Sequence, residues 1–268
     1  QRLCFARKIA MQSMPLGSAA LAGTHLGIDL QKAAEALGFS SPPKNSFDCT
    51  GDRDFILQAL QSFSTTALHL SKICEDIIIW SSQPYSWFSL PEDWSTGSSI
   101  MPNKRNPDVA ELVRGKCAQI IGFEQSANLL LKGLVNSYSS DLHELKRVLL
   151  PSIAQLRQCL EVFPPFFSGL TPQRHVIKEQ LNQGHLLATE VANQLVNEGL
   201  PFREAYKKVA ALVQNAQRDS VQIHQLVPEM QLSFVGAVEK RTNNGGTARI
   251  QILAQIKELR LKTDDAQS

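Results

Sequence analysis

The stretch from Ser95 to Pro107 holds the side chains best suited to chemistry. Gly97, Ser98 and Ser99 are small enough to let backbone N–H groups approach an anion. Lys104 adds positive charge, and Asn106-Pro107-Asp108 reads as a helix start whose dipole also favours negative charge. Together these describe a loop that binds a carboxylate and stabilises an oxyanion. On residue types and spacing alone, a phosphate loop or an ordinary polar connection fits equally well.

Two long helices must flank such a loop. Phe55, Ala59, Leu60, Phe63, Ala67, Leu70, Ile73 and Ile77 recur at three-to-four spacing, which predicts a helix over about 52–80. A helix that long needs neighbours on several sides, as in a large bundle or a subunit interface. The second helix starts with Asn106 as cap and Pro107 in its first turn, and ends before Gly133. A third covers about 141–163, with Pro151 inside it and Pro164-Pro165 closing it. A shorter helix over 29–37 ends at Gly38. Beyond Thr171 the predicted helices shorten: 186–198, 202–218, 221–226 and 228–240. The tail 263–268 is polar and reads as frayed. No alternating strand pattern of useful length appears, so the fold class is all-α. The division predicted is a central helical-bundle domain over 1–178 and a small C-terminal helical domain over 179–268.

Composition excludes several partners. The 27 basic and 25 acidic residues leave a formal net charge of +2, with no basic cluster that would draw nucleic acid or a membrane surface. No apolar run is long enough to span a bilayer. Five cysteines at wide spacing, with no Cys-x-x-Cys, argue against a disulfide framework or zinc site and for reduced thiols in the cytoplasm. His25, His69, His175, His185 and His224 have no metal-ligand spacing, so no metal is expected. Glu75-Asp76 reads as a solvated or packing pair, and Arg53 between Asp52 and Asp54 as a helix-start ion-pair cluster.

The string Gly97-Ser-Ser-Ile-Met-Pro-Asn-Lys-Arg-Asn-Pro107 resembles the signature of the fumarase/aspartase superfamily, Gly-Ser-Ser-x-Met-Pro-x-Lys-x-Asn-Pro. Other segments resemble its argininosuccinate lyase/delta-crystallin branch. They are Met14-Pro-Leu-Gly-Ser-Ala-Ala-Leu-Ala-Gly-Thr24, with Ala19 where Gly is usual, and Asn45-Ser-Phe-Asp-Cys-Thr-Gly-Asp-Arg-Asp-Phe55. Lys132-Gly-Leu134, Pro201-Phe-Arg-Glu-Ala205 and Gly245-Gly-Thr-Ala248 are similar to it as well.

The resemblance implies a long-helix bundle, a homotetramer with active sites shared between chains, and no cofactor. It implies β-elimination of argininosuccinate to arginine and fumarate. Ser98 stands in the position of the base, Lys104 of its activating cation, and Glu111 of the carboxylate that orients a catalytic histidine. Arg53, Ser99, Asn106, Asp108, Tyr138 and Lys146 match substrate-binding positions. His143, within Tyr138-Ser-Ser-Asp-Leu-His-Glu-Leu-Lys146, replaces a Gln that normally contacts substrate. The family's histidine lies in a Thr-His segment upstream of the Pro-Leu-Gly-Ser stretch. Nothing upstream of Met14 matches it, so the chain reads as a fragment that is inactive alone. Two other readings stand beside this one: a structural, crystallin-like relative, and a lyase acting on another N-substituted aspartate such as adenylosuccinate.

Overall fold

A computed structural model describes residues 2–265, of which the last two are described in backbone only. The first helix is α1 (Arg2–Ala10). It is followed by α2 (Leu30–Leu37), α3 (Ser46–Gly51) and the 28-residue α4 (Asp54–Ser81). Local chemistry sets these boundaries. The Asp29 carboxylate accepts from the Lys32 N–H at 2.9 Å, and Gly38 closes α2 in the left-handed region at φ 78°. The Asn45 side chain caps α3 by accepting from the Phe47 and Asp48 N–H groups.

After α4 come β1 (Phe88–Ser89), β2 (Thr96–Gly97), β3 (Arg105–Asn106) and α5 (Asp108–Leu131). A 3-10 turn over Ser140–Glu144 leads into α6 (Leu145–Ser168), and β4 (Thr171–Pro172) pairs antiparallel with β1. These two-residue ladders pin loops to the helix ends. They are too short to show as alternation in the sequence.

The first compact unit, up to residue 172, is built on α4, α5 and α6. Ala67, Leu70, Cys74 and Ile77 of α4 pack with Ala110, Val113, Cys117 and Ile120 of α5, and with Leu156, Cys159 and Phe166 of α6. Ile56 and Leu60 instead meet Ala127 late in α5 and Leu145 and Val148 early in α6. Hence α5 runs antiparallel to α4, and α6 parallel to it. Each fully buried Leu, Ile or Phe contributes about 1.5–3 kcal/mol. Among the expected solvated charges, Glu75 pairs with Arg114 of α5.

Two expectations about helix ends fail in this unit. Pro164 and Pro165 do not close α6, which continues to Ser168. Buried Phe166, together with ring contacts from Phe163 to Phe166 and Phe167, holds the last turn where two backbone donors are missing. Asn106 does not cap α5 either. It lies in β3 opposite Thr96, and Pro107 occupies the cap position without a side-chain bond.

The second unit, from residue 173, contains α7 (Arg174–Leu181), α8 (Ala188–Asn197), α9 (Phe202–Arg218), α10 (Ile223–Leu226), α11 (Phe234–Glu239) and α12 (Arg249–Asp265). Val191, Leu195, Ala205, Val209 and Ile223 form its core. The helix expected over 228–240 divides into a 3-10 turn at Pro228–Met230 and α11. Ser233 caps α11 by accepting from the Gly236 N–H. Glu190, 5 % exposed, is paired with Arg241 at 2.7 Å, which compensates its burial. Of the tail expected to fray, 263–265 still belongs to α12, and 266–268 lies outside the described residues.

Candidate active site

Every site residue expected from the sequence falls in the first unit, at one of two places. The loop group sits where α4 ends and α5 begins. Thr96 pairs with Asn106 and Gly97 with Arg105, so Ser98 to Lys104 form the tip of a short hairpin. Asp108, in the first turn of α5, turns its carboxylate back onto Thr96. It accepts from the Thr96 N–H at 2.9 Å and from the hydroxyl at 2.5 Å. The Thr96 hydroxyl, chiefly, holds the Asp108 carboxyl below its usual range; slight burial works against this, and the nearby Lys104 charge assists. This clasp fixes the base of the hairpin to the helix.

Within the tip, the Ser98 hydroxyl oxygen accepts from the Ile100 N–H at 3.2 Å and from the Met101 N–H at 3.0 Å. Two amide dipoles therefore point at the oxygen that would carry charge if the hydroxyl lost its proton. Hydrogen bonds of this kind favour the charged form. Ser98 is partly buried, while Ser99, Lys104 and Glu111 are exposed. Ile100, 86 % exposed, stands at the tip with no cover from its own chain. Thr96, the residue that anchors Asp108, is a partner that sequence reasoning did not single out.

The cleft group sits at the other end of the bundle. Arg53, Tyr138, His143 and Lys146 line one cavity of about 730 Å³, together with the 13–19 segment and α3. The Arg53 guanidinium donates to the carbonyls of Asp52 at 2.5 Å and Thr50 at 3.3 Å. The ion-pair cluster expected with Asp52 and Asp54 gives way to these bonds, which stiffen the turn into α4. Tyr138 Oη lies 2.5 Å from His143 Nε2, with the two rings edge to face. Gly51 lets this wall approach, since a Cβ there would stand 3.0 Å from the Ser137 carbonyl oxygen. Sequence reasoning missed Ser18, Thr50 and Asp52 as cavity residues.

The two groups are therefore apart. A 28-residue helix rises about 1.5 Å per residue, so roughly 40 Å of α4 separates Arg53 from the loop end. Among the described residues, no cluster of three or more His, Cys, Asp or Glu is placed to hold a metal ion, and no helix is long and apolar enough to cross a membrane.

Two family profiles match the chain, one within each compact unit. A family profile described as "Lyase" matches residues 3–122, and one described as "Argininosuccinate lyase C-terminal" matches residues 185–243. Argininosuccinate lyase from Desulfovibrio desulfuricans is 38 % identical over 260 residues, which cover 92 % of this chain and 56 % of that protein. The enzyme of the same name from Moorella thermoacetica is 41 % identical over 221 residues, or 82 % of this chain and 48 % of its own length. The chain thus spans about half the length of the curated relatives it matches. Among solved structures, EDDS lyase in complex with formate superimposes with a TM-score of 0.79 at 22 % identity, covering 99 % of this chain and 57 % of the other. A class II fumarase from Schistosoma mansoni gives 0.69 at 23 % identity, over 87 % and 52 %. These two likenesses concern the fold.

Proposed function

Because the chain belongs to the argininosuccinate lyase family, we propose that it supplies both the base-bearing loop and the substrate cleft of a carbon–nitrogen lyase that splits argininosuccinate into arginine and fumarate. The carrying observation is the pair of amide hydrogen bonds to Ser98 Oγ within the clasped hairpin. A serine hydroxyl is a poor base at neutral pH. Two backbone donors at its oxygen, with Lys104 in the same loop, favour the alkoxide that takes the proton. That proton comes from the carbon beside a succinyl carboxylate. The electron pair left behind is delocalised into that carboxylate, then forms the fumarate double bond as the carbon–nitrogen bond breaks. The leaving nitrogen takes a proton as arginine departs.

Ser99 and Asn106 offer hydrogen bonds to the carboxylate that gains charge, and Asp108 keeps the hairpin in place. Glu111, one turn into α5, is assigned to orient the proton-transfer partner in the assembled site. Arg53, Tyr138, His143 and Lys146 hold the far end of the substrate.

Since about 40 Å of helix separates the loop from the cleft, this reading requires the loop of one chain to meet the cleft of another, within a homotetramer. Exposed Leu68 on α4, Leu112 and Leu129 on α5, and Leu150 and Leu160 on α6 support such packing. Five free cysteines suit a cytoplasmic setting.

The test is a chimera in which this chain replaces the matched region of the Desulfovibrio desulfuricans enzyme. Fumarate release from argininosuccinate is the expected result. A folded, assembled chimera that releases none would contradict the proposal.

A further inference from the structure

Ser18 is 4 % exposed, and its hydroxyl has no hydrogen-bond partner among the described residues. It nevertheless lines the cavity that holds Arg53, Tyr138, His143 and Lys146. A buried, unpaired hydroxyl costs about 1–3 kcal/mol, so folded chains seldom keep one without use.

The surrounding backbone is held in one conformation. Gly17 has φ 97°, and a Cβ there would come within 2.4 Å of Leu30 Cδ2. Ala19 has φ 49°, left-handed for a residue with a side chain. The Ser18 carbonyl accepts from the Gly23 N–H at 3.0 Å, closing the turn. Ser18 therefore lies between two left-handed residues, buried in a segment that lines the cavity.

We propose that Ser18 is a ligand-binding residue of the cleft, donating a hydrogen bond to a carboxylate of the bound amino-acid group. The proposal rests on the cleft reading given above. The charges in the cavity select this ligand chemistry. Arg53 and Lys146 supply two cations against the single carboxylate of Asp52, and Asp52 Oδ1 already accepts from the Asp54 N–H at 2.8 Å. An α-amino-acid end places its carboxylate toward the two cations. Ser18 then adds the directional donor that a flexible lysine lacks.

The test compares this chain with Ser18→Ala, Ser18→Cys and Lys146→Ala by calorimetric titration with L-arginine, alongside thermal unfolding. A lost hydrogen bond to a charged group corresponds to about a tenfold or greater rise in Kd. Ser18→Ala and Ser18→Cys should both show it, with Tm unchanged or higher in Ser18→Ala, because an unsatisfied hydroxyl has been removed. An unchanged Kd, or a Tm lowered by several degrees, would overturn the proposal and mark Ser18 as structural. If Lys146→Ala weakens binding while both Ser18 variants bind normally, only the Ser18 role falls. If the unaltered chain does not bind L-arginine, the cleft reading falls and takes the Ser18 role with it.

Discussion

The loop end and the cleft end of the bundle are made from different materials. The loop is one continuous stretch, and much of its chemistry comes from backbone: two amides on Ser98 Oγ, a two-residue ladder, and a carboxylate tied to Thr96. The cleft gathers side chains from the 13–19 segment, α3, the start of α4 and the 138–146 turn, and encloses about 730 Å³. A backbone-built loop can polarise one reacting oxygen but cannot enclose a substrate. A cavity of side chains can hold a substrate but, in this chain, lacks the polarised oxygen. Under the proposed function, each end carries what the other needs.

The comparison breaks first at Ser98. In the chimera, Ser98→Ala should lower kcat by about 10³-fold or more, in the range expected for loss of a positioned proton acceptor. L-Arginine binding at the cleft should stay unchanged, which calorimetry checks. Lys146→Ala should show the converse, with KM for argininosuccinate raised about tenfold or more and kcat reduced less. If both variants moved the same parameter, the division of labour would be wrong.

The loop string was legible because its information is contiguous: small residues, a cation and a helix start in a single run. The long helices were legible for a similar reason, with α4 observed at Asp54–Ser81 against an expected 52–80. Failures arose where distant contacts overrode local rules. Pro164 and Pro165 signal a helix end, yet packing of Phe166 carries α6 past them. Asn106 has the right type for a cap, yet ladder pairing with Thr96 claims it and α5 starts with no side-chain cap. The cleft could not be read from spacing, since Ser18 and Lys146 lie far apart in sequence. Only the resemblance brought Arg53, Tyr138, His143 and Lys146 together, and it gave no hint of Ser18. The usual Gly at position 19 was a signal, because Ala19 adopts the left-handed conformation that Gly favours.

Smaller effects sharpen the contrast. Asp108→Asn should loosen the hairpin by weakening the Thr96 clasp, seen as faster hydrogen exchange at the Thr96 amide. Acid should do the same to the unaltered chain. The folded Asp108 value lies below the unfolded value of about 3.9, so its contribution is complete above that pH and is lost as pH falls through the folded value. Protection at Thr96 that stayed constant well below the folded value would contradict the clasp. Gly51→Ala should raise the Kd for L-arginine about two- to threefold, because the Ser137 backbone must give way by a few tenths of an ångström. Hydrogen exchange in the loop should not change with it.

Under the proposed function, one chain cannot bring its own loop to its own cleft. Mixing tests this most directly. Chimeric chains carrying Ser98→Ala are dissociated and reassembled with chains carrying Lys146→Ala, and fumarate release is measured against each variant reassembled alone. At argininosuccinate well below the KM of Lys146→Ala, the mixture should release fumarate faster than either variant reassembled alone, because some sites then combine an intact loop from one chain with an intact cleft from another. A mixture that co-assembles and is no faster than the average of its two components would contradict it.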